Sequence, residues 1–228
     1  MVITTVVFDA YGTLFDVAAA ARLAAAEPGQ DQLASVWPRL AEDWRRKQLE
    51  YTWLRTITNQ FADFAKVTAD GLDWALEAQG LASPDLRLRL LALYDQLPAY
   101  PEVAVTLAAL RAAGFGTAIL SNGTEGMLAS AVTAAGLEAL FDAVLSVDAV
   151  ATFKPSARVY DLVGKRFGST PQEVLFVSSN GWDVAGAAGY GFATMWVNRA
   201  GLPQDRLANQ PAHVRPDLTG ITDLAANL

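Results

Sequence analysis

The chain predicts an α/β protein, a doubly wound parallel sheet with an inserted helical-bundle cap. Three observations predict it. First, an apolar run, Val6-Val7-Phe8, ends on Asp9 and is followed by Gly12, which reads as a strand buried on both faces and then a turn. Second, helical and strand-like segments alternate from Pro98 onward, as βα units do on a parallel sheet. Third, about Val17 to Leu97 shows helical patterns and no convincing strand. The first strand must therefore join the sheet across a helical insert. Residues 1–15 and 98–228 are expected to form the core, and residues 16–97 the cap.

Each element has its own signal. In the cap, alanine-rich Ala18 to Glu27 is stopped by Pro28-Gly29. A long helical pattern runs from Leu33 to Asn59, with Pro38 placed near a helix start or break. Thr68 to Gln79 is a further helix, stopped by Gly80. Another begins with Ser83 as cap and Pro84 in the first turn, and runs to about Gln96. In the core, helices are expected over Glu102–Ala113, Gly123–Ala135, Ser156–Phe167 and Trp182–Gly189. The strands that alternate with them are Phe115–Leu120, Val144–Val147, Val174–Val177 and Ala193–Val197.

Composition narrows the function classes. A chain of 228 residues, 52% hydrophobic and 18% charged, can build a sizeable core. Its formal net charge of -7 argues against a nucleic-acid partner. With no cysteine, there can be no disulfide, thiolate metal site or cysteine nucleophile. No apolar run approaches the ~18 residues of a membrane span. The first apolar stretch is short and lacks the flanks of a signal peptide, so a soluble cytoplasmic protein is expected.

In a parallel sheet the residues after the strands converge on one edge. Strand one delivers Asp9, Tyr11 and Thr13, and the next delivers Ser121-Asn122-Gly123. Lys154-Pro155 follows the short strand, and Ser178-Ser179-Asn180-Gly181-Trp182-Asp183 follows another. This set suits displacement at carbon or acyl-type hydrolysis, with Asp9 forming a covalent ester and Lys154 pairing with it. Each residue also has a structural reading. Asp9 could be a turn or cap residue, Ser121-Asn122-Gly123 a turn, Lys154 a surface lysine and Asp183 a carboxylate favoured by a helix dipole. Their joint placement at strand ends favours a site. In the cap, Arg45, Gln48 and Thr52 share a helical face at i, i+3 and i+7, from which Arg45 could reach over Asp9. Arg46 and Lys47 read as a solvated face with Glu50, and Phe61 and Phe64 as core packing.

Asp9-x-Tyr11-Gly12-Thr13, Ser121-Asn122-Gly123, Lys154-Pro155 and Ser178-Ser179-Asn180-x-x-Asp183 resemble the four ordered motifs of the haloacid dehalogenase superfamily. The resemblance spans about Val6 to Asn198 and implies a Rossmann-like core. Phosphatases of that superfamily normally carry Asp-x-Asp in the first motif and hold magnesium with help from acids in the fourth. Here Tyr11 replaces the second Asp, and Ser178 to Asn180 stand where a fourth-motif acid is usual. Hard oxygen ligands for magnesium are therefore poorly supplied, so no metal or cofactor is expected. The cap segment from Trp44 to Trp53 and the Ser178–Asp183 run are similar to the L-2-haloacid dehalogenase branch, although Gly181 stands where alanine is expected.

That resemblance implies hydrolytic dehalogenation of short (S)-2-haloalkanoic acids to (R)-2-hydroxy acids, with inversion at C2 through an ester on Asp9. Arg45 and Asn122 would stabilise the departing halide, with Phe64 as a halide-side wall. Ser121 and backbone amides near Tyr11 would hold the substrate carboxylate. Asp183 would orient or activate water with Asn180 and Ser178, and Lys154 would balance charge. Thr13 and Tyr160 are assigned to positioning, and Trp182 to walling the pocket. Two other readings stand beside this one, a magnesium-dependent phosphatase or phosphonatase and a non-catalytic carboxylate-binding protein. A homodimer is expected from the resemblance and from a cap rich in Trp37, Trp44, Trp53 and Trp74. His213 is placed in a C-terminal loop and given no chemistry.

Overall fold

A computed structural model of the chain describes residues 2–228. Strand β1 (Thr5–Phe8) is followed by four helices, α1 (Ala19–Ala25), α2 (Asp31–Ile57), α3 (Phe64–Ala78) and α4 (Pro84–Tyr94). Alternation then sets in with α5 (Val103–Ala112), β2 (Gly116–Ser121), α6 (Glu125–Ala134), β3 (Ala143–Ser146) and α7 (Ala157–Phe167). It continues through β4 (Val174–Ser178), α8 (Gly181–Tyr190), β5 (Ala193–Val197), β6 (His213–Arg215) and α9 (Ile221–Ala226). The six strands form one sheet in the order β3-β2-β1-β4-β5-β6, and every neighbouring pair is parallel.

The central strands are covered on both faces, which explains their unbroken apolar composition. All residues of β1 and of β4 are buried. The strand order reverses around β1. Such a switch point opens a crevice at the carboxyl ends of the strands, and Asp9 stands there, directly after Phe8.

Helices α1 to α4 form a cap between β1 and β2. Trp44 lies beneath the α2–α3 contact and donates its indole N–H to Thr68 O at 2.8 Å. The chain enters and leaves the cap along adjacent segments. Asp16 N donates to Pro98 O and Tyr100 N to Leu14 O, each at 2.9 Å, and Phe15 bridges to Ala99.

Three features depart from expectation. Pro38 lies inside α2 and not at its start or break. Its ring removes one helical N–H donor, but buried Leu33, Leu40, Trp44, Gln48 and Thr52 anchor the helix on both sides. Helix α3 begins at Phe64, four residues before the expected Thr68, because the Asp63 side chain caps it by accepting from Lys66 N at 2.7 Å. His213 belongs to the short edge strand β6, opposite Met195 of β5, and not to a loop.

The cap tryptophans find partners inside the chain. Trp44 is buried, Trp53 meets Trp182 edge-on at 5.4 Å, and Lys47 lies 4.5 Å over the Trp74 ring. Lys47 is thus largely covered, with 13% of its side chain exposed, and does not belong to a solvated face. Arg46 does, pairing with Asp43 at 2.8 Å and Glu50 at 3.5 Å.

Candidate active site

The motif residues from four strand ends and one cap helix converge on Asp9. Gly12 makes the first turn possible with φ of +86°, a region that costs most side chains energy but not glycine. The turn brings Thr13 back over the carboxylate. Asp9 Oδ2 accepts from Thr13 Oγ1 at 3.0 Å, Asn180 Nδ2 at 2.9 Å and Ser178 Oγ at 3.4 Å. Asp9 Oδ1 accepts from Lys154 Nζ at 3.1 Å. Asp9 is only 6% exposed and Lys154 1%. Burying a carboxylate costs several kcal/mol. Hydrogen bonds to charged groups contribute about 1.5–3 kcal/mol each, so this donor set is large enough to offset that cost.

Lys154 joins two acids. Its Nζ also donates to Asp183 Oδ2 at 2.8 Å, and Tyr160 Oη donates to Asp183 Oδ1 at 2.8 Å. Burial is the main influence on Asp183 and pushes its pKa up to about 6, against the pull of the Lys154 ammonium. Burial by itself would lower the Lys154 pKa, but Asp183 and Asp9 outweigh it and the value is raised. Burial, reinforced by the Asp183 charge, holds the Tyr160 phenol well above its usual range. Lys154 therefore stays an ammonium and Tyr160 a neutral donor.

The loops are tied to one another. Asn122 Oδ1 accepts from Lys154 N at 3.0 Å, which leaves its Nδ2 as the donor facing elsewhere. Ser121 Oγ accepts from Gly123 N at 3.1 Å. Ser179 N donates to Thr13 Oγ1 at 2.8 Å, and Asn180 N to Ser178 Oγ at 3.1 Å. From the cap, Arg45 Nη2 donates to Tyr11 O at 2.9 Å and to Asn180 Oδ1 at 3.1 Å. Phe64 is buried, with its ring 5.7 Å from Tyr11 and 6.4 Å from Phe153. Trp182, on the first turn of α8, meets Trp53 of α2 across the gap between core and cap. Asp9, Thr13, Arg45, Asn122, Lys154, Tyr160, Ser178, Asn180 and Asp183 are thus linked in one hydrogen-bonded network. A methyl group at Gly181 would meet only the carboxylate of exposed Asp205, a flexible side chain free to turn aside.

Two neighbours escaped the sequence reading. Arg199, just past β5, donates from Nη2 to Thr13 O at 2.8 Å, pairs with Glu102 at 2.7 Å and covers Tyr100 at 3.7 Å. The strand-end argument, extended to the last long strand, would have found it. Tyr94 stacks on Tyr11 at 5.4 Å. Its spacing with Leu86 and Leu90 reads only as a core face.

The donors suit a substrate anion better than a divalent cation. An ammonium already sits between the two carboxylates, and protein donors engage all four of their oxygens. Among the described residues, no group of three or more His, Cys, Asp or Glu side chains could hold a metal ion. A concavity of about 650 Å³ lies at the opposite sheet edge around Val2, Phe115 and Leu228. It has no part in this site.

A parallel sheet with a carboxylate at its switch point, a lysine bridging it to a second acid and a helical cap over both defines a class of hydrolase. Residues 3–191 match the family model of haloacid dehalogenase-like hydrolases, and the chain belongs to that family. It is 44% identical to (S)-2-haloacid dehalogenase 1 of Pseudomonas sp. (strain CBS-3), over 97% of this chain and 96% of that one. A solved structure of a dehalogenase with an intermediate complex superposes with a TM-score of 0.93 at 40% identity, covering 98% of this chain and 97% of that one. The L-2-haloacid dehalogenase of Xanthobacter autotrophicus, solved with chloropropionic acid covalently bound, superposes with a TM-score of 0.86 at 39% identity. That match covers 97% of this chain and 98% of the other.

Proposed function

We propose that the chain is a hydrolytic (S)-2-haloacid dehalogenase that works through an ester on Asp9 and needs no metal. The observation that carries this is the Asp9–Lys154–Asp183 arrangement, a buried nucleophile-grade carboxylate joined by one ammonium to a second acid. The likeness to (S)-2-haloacid dehalogenases over nearly the whole chain supports the substrate class. The Asp9 carboxylate attacks C2 from the side opposite the halogen. The carbon–halogen bond breaks with its electron pair on the halide, and C2 inverts. Arg45 and the Asn122 amide stabilise the negative charge that develops on the halide, and Phe64 walls that side. Ser121 and backbone amides near Tyr11 hold the substrate carboxylate, with Trp182 lining the pocket.

Water then attacks the Asp9 carbonyl carbon. The tetrahedral intermediate collapses by breaking the bond from that carbon to the ester oxygen, which leaves with C2. That oxygen takes up the proton abstracted from water as the hydroxyl of the (R)-2-hydroxy acid, and the Asp9 carboxylate is restored. Asp183 orients that water and takes its proton, a task suited to a carboxyl pushed up toward neutral pH. Ser178, Asn180 and Thr13 hold Asp9 Oδ2, where charge builds in the tetrahedral intermediate. Lys154 balances charge in both steps, and Tyr160 positions Asp183. Residues 1–15, of which residue 1 lies outside the described residues, and 98–228 are assigned to the catalytic core and residues 16–97 to the cap, a division that the paired linkers support. A cytoplasmic homodimer completes the reading.

Chiral analysis of the product from racemic 2-chloropropionate tests the activity. We expect half of the substrate to be consumed, releasing chloride and (R)-lactate, with the (R)-haloacid left over. Racemic lactate, or no chloride release, would contradict the proposal.

A further inference from the structure

Tyr94, the last residue of α4, has a hydroxyl whose proton meets no acceptor among the described residues. Its ring is enclosed, stacked on Tyr11 at 5.4 Å with planes 24° apart and tilted against Trp44 at 4.9 Å. Only 2% of its surface is exposed, yet its hydroxyl oxygen has no hydrogen-bond partner among the described residues. A buried hydroxyl is normally paired, because leaving it bare is unfavourable.

The surroundings favour an anion. Arg45 and Gln48 lie close enough to direct their N–H groups at the Tyr94 oxygen, and the Arg45 charge outweighs that of the more weakly felt Asp9. Gln48 is engaged elsewhere, its Nε2 donating to Thr68 Oγ1 at 2.9 Å. Arg45 commits Nη2 to Tyr11 O and Asn180 Oδ1. The position thus combines a guanidinium with a free O–H, and no acceptor is supplied for that proton.

We infer that the Tyr94 hydroxyl donates a hydrogen bond to the halide as it leaves C2, completing a cradle with Arg45. This inference rests on the dehalogenation proposed above. The halide is chosen over the substrate carboxylate because Tyr94 and Arg45 both come from the cap, whereas Ser121, read as a carboxylate contact, ends β2. The phenol keeps its proton, since burial raises its pKa above the ordinary value. It acts as a donor to developing charge and not as an acid.

Tyr94→Phe removes the hydroxyl and keeps the ring. Chloride accepts hydrogen bonds more strongly than bromide. The variant should therefore lose on the order of tenfold in kcat on 2-chloropropionate and clearly less on 2-bromopropionate. Inhibition by added chloride should weaken in parallel. Thermal unfolding should be little changed, because the hydroxyl makes no well-formed hydrogen bond in the folded protein. Equal losses on both substrates, or a KM increase with kcat unchanged, would overturn the assignment while leaving dehalogenation in place. Wild-type protein that releases no halide would overturn both.

Discussion

Lys154, Thr13, Asn180 and Ser178 each direct a donor at the buried Asp9 side chain. Burial pushes the Asp183 carboxyl up to about 6, against the pull of Lys154. Its proposed task requires the ionised form, which is lost as pH falls through that value. The rate of hydrolysis of the Asp9 ester formed from 2-chloropropionate, followed in single turnover, should therefore show an acid limb near pH 6, one proton in slope. A rate that stays flat down to the ordinary aspartate range would remove Asp183 as the base. At this scale the motifs were legible because strand ends in a parallel sheet must converge, and Asp9, Lys154, Asn122 and Asp183 each follow a strand. Tyr94 was not legible. Its apolar spacing is the same whether or not its hydroxyl has a partner, and only the three-dimensional surroundings reveal that it has none.

Between elements, small residues decide how closely the site's supports approach. A Cβ on Gly186 of α8 would lie 2.6 Å from both Pro155 Cβ and Tyr160 Oη. Glycine there lets α7 and α8 close, which sets the 2.8 Å bond from Tyr160 to Asp183. Gly186→Ala should cost about 1–3 kcal/mol by overpacking and lower kcat more than KM, as read by urea unfolding beside steady-state kinetics. Wild-type stability and turnover would show that the contact is slack. Most core elements were legible from glycine stops and apolar runs. Boundaries were lost where a single side chain overrides propensity, as Asp63 does at the start of α3. The interior position of Pro38 was lost because packing of Leu40, Trp44 and their neighbours outweighs one missing hydrogen bond.

For the molecule as a whole, the doubly wound core with a helical cap was readable from the change of pattern near Pro98. The edge strand β6 was not, since three residues between prolines carry too little periodicity. The pairing of linkers at Asp16–Pro98 and Leu14–Tyr100 is equally silent in sequence, because it joins segments about eighty residues apart. In the proposed mechanism, sheet and cap together hold one acid to serve first as nucleophile and then as acyl centre. Such held geometry can supply roughly 7–11 kcal/mol of a barrier. The ester on Asp9 is tested most directly by a single turnover of (S)-2-chloropropionate in heavy-oxygen water, with enzyme in excess. The first lactate should carry ordinary oxygen from Asp9, and heavy oxygen should appear in the Asp9 carboxylate of the recovered protein. Heavy oxygen in that first lactate, with Asp9 unlabelled, would mean that water attacks C2 itself.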